Sequence, residues 1–275
     1  MFQDRQIKIV LGVSLGIFIF LFSIFLFNAV RSHNSKPADT KDEPVLSMTT
    51  DSNIFNVSSI QIYSSANALN NSEMQKDYWD LNLYQYSDIA INIDNNVSID
   101  GLTLKNTVKE MYIDNISYPT TPDKGSPHLY FKDPEFLGVG VINEEYLIKD
   151  KVSFNVISSN NTETSEPSFY ADCSNPILLS SINQDIVSNF VIRNTNSAVT
   201  FDGNLFLDAN ILLSNIEYSV SFSIHIINGL DEEYICTLTI PIKLSDDNDI
   251  NTVYDGSYQS TLTNINGSKF YKKEN

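Results

Sequence analysis

The sequence predicts an all-β protein, an antiparallel β-sandwich of jelly-roll-like or immunoglobulin-like type, preceded by one transmembrane α-helix. Three observations carry this expectation. Residues 9–30 form an uncharged apolar run. After residue 53, period-two alternation of apolar and polar residues recurs while helical periodicity is nearly absent. Connectors rich in Asn, Ser and Thr separate the apolar segments, as turns between strands require.

The run Ile9 to Val30 is 22 residues long and is interrupted only by the small polar side chains of Ser14, Ser23 and Asn28. As a helix it rises about 33 Å, against about 30 Å for a bilayer core. It exceeds the ~7–15 residues of a secretory h-region, Phe27 stands two positions before the candidate cleavage residue Ala29, and the first cysteine, Cys173, comes too late for a lipoprotein. An uncleaved signal-anchor is therefore expected over 9–30, with residues 1–8 as a cytoplasmic stub. The flanking charges, Arg5 and Lys8 before the run and Arg31, Lys36 and Lys41 after it, do not set the orientation. The long Asn/Ser/Thr-rich β-type remainder, of the sort displayed on bacterial cell surfaces, does, because long domains translocate largely regardless of charge. The expected localisation is the cell membrane, single-pass, with the C-terminal domain extracytoplasmic.

Residues 31–52 are polar, contain Pro37 and Pro44 and lack an apolar period, which predicts a flexible stalk. Beyond it, strands are expected where apolar residues alternate: Ile60/Ile62, Trp79/Leu81/Leu83, Ile89/Ile91/Ile93, Met111 to Ile116 and Val152/Phe154/Val156. The clearest pair is Val220/Phe222/Ile224/Ile226 followed by Cys236/Leu238/Ile240/Ile242. Asn228-Gly229 and the acidic stretch Asp231 to Glu233 lie between them, so the two form a β-hairpin. Thr103 to Glu110 is the one stretch that suits a short helix. The second half shows few strands before Tyr218. One sandwich over 53–275 is expected, with two tandem lobes divided near 158–167 as the alternative.

From Arg31 onward the chain carries 15 basic and 33 acidic residues, a net charge of −18. This excludes nucleic acid as a partner and disfavours anionic lipid head groups, and it suits solubility, cation association or recognition of neutral ligands such as glycans. The acids are scattered, as on a solvated surface. Six N-x-Ser/Thr sequons begin at Asn56, Asn70, Asn96, Asn115, Asn160 and Asn266, about the number that 31 Asn among many Ser and Thr produce by chance, so they do not argue for glycosylation.

With its anchor, its acidic Asn-rich β domain and phrases such as Asn106-Thr107-Val108-Lys109 and Asp172-Cys173-Ser174-Asn175-Pro176, the chain resembles the uncharacterised single-pass membrane-anchored surface proteins of low-GC Firmicutes. The resemblance covers the whole architecture and implies no activity or site.

Several residues invite chemistry. Cys236 shares a face with Leu238 and Ile240 and is expected to be a small buried hydrophobe, whereas Cys173 precedes the turn signal Asn175-Pro176. A Cys173–Cys236 disulfide is permitted outside the membrane. A membrane-anchored β domain with Cys, His128 and Arg193 also invites comparison with sortases, transpeptidases whose cysteine ends a Thr-Leu-x-Thr-Cys strand. Here Cys173 ends Phe169-Tyr170-Ala171-Asp172, and Cys236 begins rather than ends Thr237-Leu238-Thr239. His33 falls in the stalk, His128 in a loop after Pro127 and His225 on the polar face of a strand, without metal-ligand spacing. In Asp247-Asn248-Asp249-Ile250-Asn251, Thr252 replaces the Gly and Tyr258 the Glu of a Ca²⁺ loop, which leaves an Asx-rich turn. Among the clustered aromatics Tyr78, Trp79, Tyr84 and Tyr86, Trp79 belongs with Leu81 and Leu83 in the core. Tyr84 and Tyr86 face the other way, to cover the sheet or to stack on a sugar or contact a protein.

These readings converge on a non-enzymatic, membrane-tethered binding or structural module of the cell envelope, with an envelope protein or glycan as partner. No catalytic, cofactor-binding or metal-binding residues are expected. A Cys-dependent sortase-like transpeptidase and a glycan-binding β-sandwich are the alternatives.

Overall fold

The computed structural model describes residues 48–49, 54–71, 78–96, 101–131, 136–137, 141–159, 167–193, 204–244, 257–263, 265 and 267–274. The stub 1–8, the anchor 9–30 and most of the stalk 31–52 lie outside the described residues, as do His33 and Asp247 to Asn251. Among the described residues no helix is long and apolar enough to cross a membrane. Ser47–Asn275 make up one compact unit.

That unit is mostly β. Its strands are β1 (Met48–Thr49), β2 (Asn56–Asn70), β3 (Tyr78–Asp94), β4 (Val108–Thr120), β5 (Ser126–Tyr130), β6 (Phe136–Leu137) and β7 (Val141–Ile142). They continue with β8 (Val152–Ile157), β9 (Ser168–Tyr170), β10 (Ile177–Arg193), β11 (Tyr218–Asn228), β12 (Glu233–Ile242), β13 (Ser257–Leu262) and β14 (Tyr271–Lys273). A seven-stranded sheet runs β1-β14-β12-β11-β4-β8-β9 and a five-stranded sheet runs β13-β2-β3-β10-β5, while β6 and β7 pair separately. All pairings are antiparallel except β8 with β9, which makes the larger sheet mixed. Both sheets draw strands from either side of residues 158–167.

The two sheets face each other across one apolar cluster. Ile60, Ile89, Ile91 and Ile177 of the smaller sheet share it with Met111, Ile113, Phe154, Val220, Phe222, Leu238 and Ile240 of the larger. This is the two-sheet packing that alternating sequences predict, and the expected hairpin β11–β12 forms, its register setting Phe222 opposite Leu238 and Ile224 opposite Cys236.

The five-stranded sheet is longer than this core. Farther along the same face, Ala66, Leu81, Leu83 and Ile186 pack under Leu205 and Phe206 of the short helix α1 (Asn204–Asp208), Leu213 of the 3₁₀ turn Leu213–Asn215, and Ile211 between the two. Trp79 packs against this second cluster. Between the two clusters lie polar rows, Ser64–Ser87–Ser181 and Ala66–Gln85–Asn183, set across β2, β3 and β10 by the strand register. Ser64 and Ser87 share a hydrogen bond of 2.8 Å, as do Ser181 and the Tyr218 hydroxyl at 2.7 Å. Asn183 donates to the Lys124 carbonyl at 3.0 Å. Gly125, at φ +95°, approaches Asn183 so closely that a Cβ there would stand 2.2 Å from Oδ1.

Four expectations need correction. The residues Thr103 to Glu110 form a turn and then the start of β4, because Thr107 and Asn106 bond back to Thr103 instead of extending a helix. The residues expected to hold few strands contain β10, whose 17 residues escape period-two reading because its register shifts twice, between Asn183 and Val187 and between Val187 and Phe190. Asp185 and Asn189 take positive φ there; the first shift sets two extra residues of β10 against β3, and the second sets one extra, which moves the side chains after it to the other face. His128 lies in β5, not in a loop. The stalk ends in a strand, with Met48 and Thr49 registered against Lys273 and Lys272 of β14.

Candidate functional site

The outer face of the five-stranded sheet, turned away from both apolar clusters, is assembled in rows that cross the strands. One row reads Gln259, Tyr63, Asp88, Ser180 and Tyr130 across β13, β2, β3, β10 and β5. The next reads Thr261, Gln61, Ala90 and Leu178. Ala90 is the small residue among larger neighbours, and the sheet surface is hollowed around it. The resulting groove has a volume of about 370 Å³, and its side-chain lining comes from Gln61, Tyr63, Asp88, Leu178, Ser180 and Gln259. That size lies near the lower end of the range for small-molecule sites.

The groove combines an apolar and a polar character. Tyr63 is 46% exposed and Leu178 61%, so two large side chains that a sheet would normally cover stand in solvent on either side of Ala90. Asp88 is set in place by its neighbours: the Tyr86 hydroxyl donates to Oδ1 at 2.7 Å and the Ser180 hydroxyl at 3.3 Å. Gln61 and Gln259 are exposed and bring amide donors and acceptors.

The other end of this face is closed. Tyr84, Tyr130 and Ile182 form a buried cluster against which Leu69, Tyr86, Tyr146 and Leu147 pack. Of the two tyrosines singled out by the sequence, Tyr84 is thus a covering residue, while Tyr86 bridges the closed region and the groove. Tyr63, to which no sequence signal pointed, is the exposed ring. Its neighbours Ile60 and Ile62 mark the strand, and Tyr63 lies on that strand's other face.

A second polar cluster occupies the outer face of the seven-stranded sheet. His225 is buried; its Nδ1 meets Glu233 Oε1 at 2.8 Å and its Nε2 meets Asp114 Oδ1 at 2.9 Å. Tyr112 donates to the same Glu233 oxygen at 2.9 Å, and Lys273 to the other at 2.8 Å. Burial alone would raise the Glu233 carboxyl, but the hydrogen bonds from Lys273, His225 and Tyr112 outweigh it and hold the group at about 2. The cluster spends its polar groups on one another and ties β4, β11, β12 and β14 together.

Both cysteines are free. Cys236 is fully buried on the expected face, and its thiol donates to the Gly267 carbonyl at 3.1 Å. Burial pushes it up to about 12. Cys173, at φ 60°, sits in the turn after β9; burial, with added repulsion from Asp172 and Asp94, pushes it up to about 12 as well. Cys173 lines a hollow beside Asp94, and Arg193 pairs with Tyr78 at the opposite end of β3, about 50 Å away along a strand of that length. His128 pairs with Ile182 on β10, and its ring contacts the Ser126 carbonyl. The Cys, His and Arg of the sortase comparison are therefore not brought together. Among the described residues no three His, Cys, Asp or Glu side chains converge as a metal site.

No protein-family model, curated protein or solved structure matches this chain.

Proposed function

We propose that the chain is a non-enzymatic binding module of the cell envelope, tethered through residues 9–30, that holds a neutral glycan in the groove on the outer face of the five-stranded sheet. The observation that carries this reading is the row Gln259–Tyr63–Asp88–Ser180 beside the hollow at Ala90. An exposed tyrosine ring stacks on the apolar face of a pyranose, and an oriented carboxylate with flanking amides accepts and donates to its hydroxyls. The net charge of −18 from Arg31 onward repels anionic ligands and leaves neutral ones favoured. A buried thiol, Cys236, and a half-buried one, Cys173, both with raised pKa values, support binding over thiol catalysis, which needs a thiolate near neutral pH.

The test is binding of the full-length protein, in detergent micelles, to neutral polysaccharides and to purified cell-wall glycan. Tyr63→Ala removes the ring and Ala90→Leu fills the hollow. Each should weaken binding about tenfold or more, the equivalent of about 1.4 kcal/mol. Binding that survives both changes would move the ligand site elsewhere. Rapid labelling of a native cysteine by a thiol probe near neutral pH would favour the transpeptidase instead.

A further inference from the structure

The groove on the five-stranded sheet has a rectangular plan fixed by strand register. Gln61 and Leu178 stand on either side of Ala90, and Tyr63 and Ser180 stand on either side of Asp88, one row along the same three strands. The residues that alternate with these, Ile60, Ile62, Ile89, Ile91, Ile177 and Leu179, are buried in the core, so the corner side chains all project from the outer face.

The corners differ in kind along the two diagonals. The exposed side chains of Tyr63 and Leu178 occupy one diagonal, and Gln61 and Ser180 occupy the other. Two strand spacings, about 10 Å, and one row step, about 7 Å, put the Cα atoms of each diagonal pair about 12 Å apart, with the methyl group of Ala90 low between them. Ser180 is held in place, because its hydroxyl donates to Asp88 Oδ1 at 3.3 Å and shares a hydrogen bond of 3.2 Å with the Tyr86 hydroxyl. Beyond Tyr86 the face is closed by the buried cluster of Tyr84, Tyr130 and Ile182, which confines the groove to the rectangle and the adjoining Gln259.

We propose that the groove selects sugar units of gluco configuration, glucose or N-acetylglucosamine, whose ring substituents are all equatorial. The proposal rests on the reading of this groove as a glycan site. A ring set on edge over Ala90 presents one face to Tyr63 and the other to Leu178. In the gluco ring both faces carry only C–H bonds, so one packs on the tyrosine ring and the other on the leucine. The equatorial hydroxyls leave from the rim and point along the other diagonal, toward the Gln61 amide and the Ser180 hydroxyl, which both donate and accept.

A galacto or manno ring carries one axial hydroxyl, which leaves from a face and not from the rim. Whichever way round such a ring enters, that hydroxyl is pressed on Tyr63 or on Leu178, where it loses water and gains no partner. A site with a single apolar wall does not discriminate in this way, since the ring turns its unobstructed face to that wall. The second wall, Leu178, is thus the specificity-determining residue, and Tyr63 supplies affinity for any of the rings.

The experiment measures, by titration calorimetry, binding of the full-length protein to β-1,4-linked tetrasaccharides of glucose, N-acetylglucosamine, galactose and mannose, in micelles of a detergent without a sugar head group. The glucose chain, the N-acetylglucosamine chain or both should bind about tenfold or more tightly than the galactose and mannose chains, and the tighter of the first two identifies the source. Leu178→Asn, at an exposed position, should bring the affinities within about threefold of one another, because it removes one apolar wall and gives an axial hydroxyl a partner. Equal wild-type affinity for all the chains, lost on Tyr63→Ala, would overturn the gluco selection and leave the glycan groove standing. Tighter binding of the galactose or mannose chain, or a preference that survives Leu178→Asn, would overturn it as well. Absence of binding to these chains and to every other neutral polysaccharide would overturn the selection and the glycan reading together.

Discussion

His225 lies flat against Tyr112, with ring centroids 4.3 Å apart and planes 10° from parallel, and Lys151 Nζ covers the other face of the tyrosine at 3.5 Å from its centroid. The stack is built on neighbouring strands, since His225 and Tyr112 are registered partners across β11 and β4. It locks the middle of the larger sheet from outside, where the apolar cluster cannot reach.

Removing the imidazole, which is buried on the outer face of the sheet, should therefore be costly. His225→Leu loses two hydrogen bonds to carboxylates and leaves Glu233 and Asp114 short of donors, a destabilisation of about 1.5–3 kcal/mol. Ser223→Ala on the same strand loses one neutral bond to Thr237 and should cost about 0.5–1.5 kcal/mol. Urea denaturation of a fragment spanning Ser47–Asn275 measures both; equal costs would show that the histidine contributes packing only.

Stability should fall in acid within a defined window. The hydrogen bond from Lys272, aided by Asn228 and Tyr234, holds Glu232 at about 2, and Glu233 sits at about 2 through Lys273, His225 and Tyr112 against the opposing effect of burial. Both folded values lie below the ordinary 4.5, so the unfolded chain binds more protons between them. The contribution is complete above about pH 5 and is lost as the pH drops toward about 2. Replacing both residues with Gln should flatten the denaturation midpoint against pH in that interval, while lowering stability at pH 7.

Gln85 is fully buried between the two apolar clusters, and neither atom of its amide finds a partner among the described residues. Gln85→Met keeps the length and removes the polar group, so it should raise stability by about 1–2 kcal/mol. A loss of stability would show that the amide is satisfied in solution. Trapping of an internal water by the wild type, seen as a slowly exchanging bound proton signal, would identify the partner.

Burial alone would make Cys236→Ser worse than Cys236→Ala, because a hydroxyl replaces a thiol in the core. The Gly267 carbonyl, 3.1 Å from the sulfur, changes that expectation by offering the hydroxyl an acceptor. The serine variant should be no less stable than the alanine variant in thermal unfolding. Thiol counting should find two titratable groups in denatured protein and very slow labelling of Cys236 in the native state.

Strands whose signal is carried by their own neighbours in the chain are legible before any fold is known. The alternations in β2, β3, β8, β11 and β12 are local, and each sorts its side chains onto two faces whatever the partner strand is. The same locality places Cys236 in the core and His225 on the polar face. β10 is hidden because its two bulges reset the alternation, so its membership in the smaller sheet shows only once β3 is beside it. The groove is hidden for a related reason. Gln61, Asp88, Ser180 and Gln259 are far apart in the chain, and interstrand registers place them in adjoining rows. Whether an outward residue ends covered, as Tyr84 does, or open, as Tyr63 and Leu104 do, depends likewise on what packs over it, because period two reports the face of a side chain and not its cover.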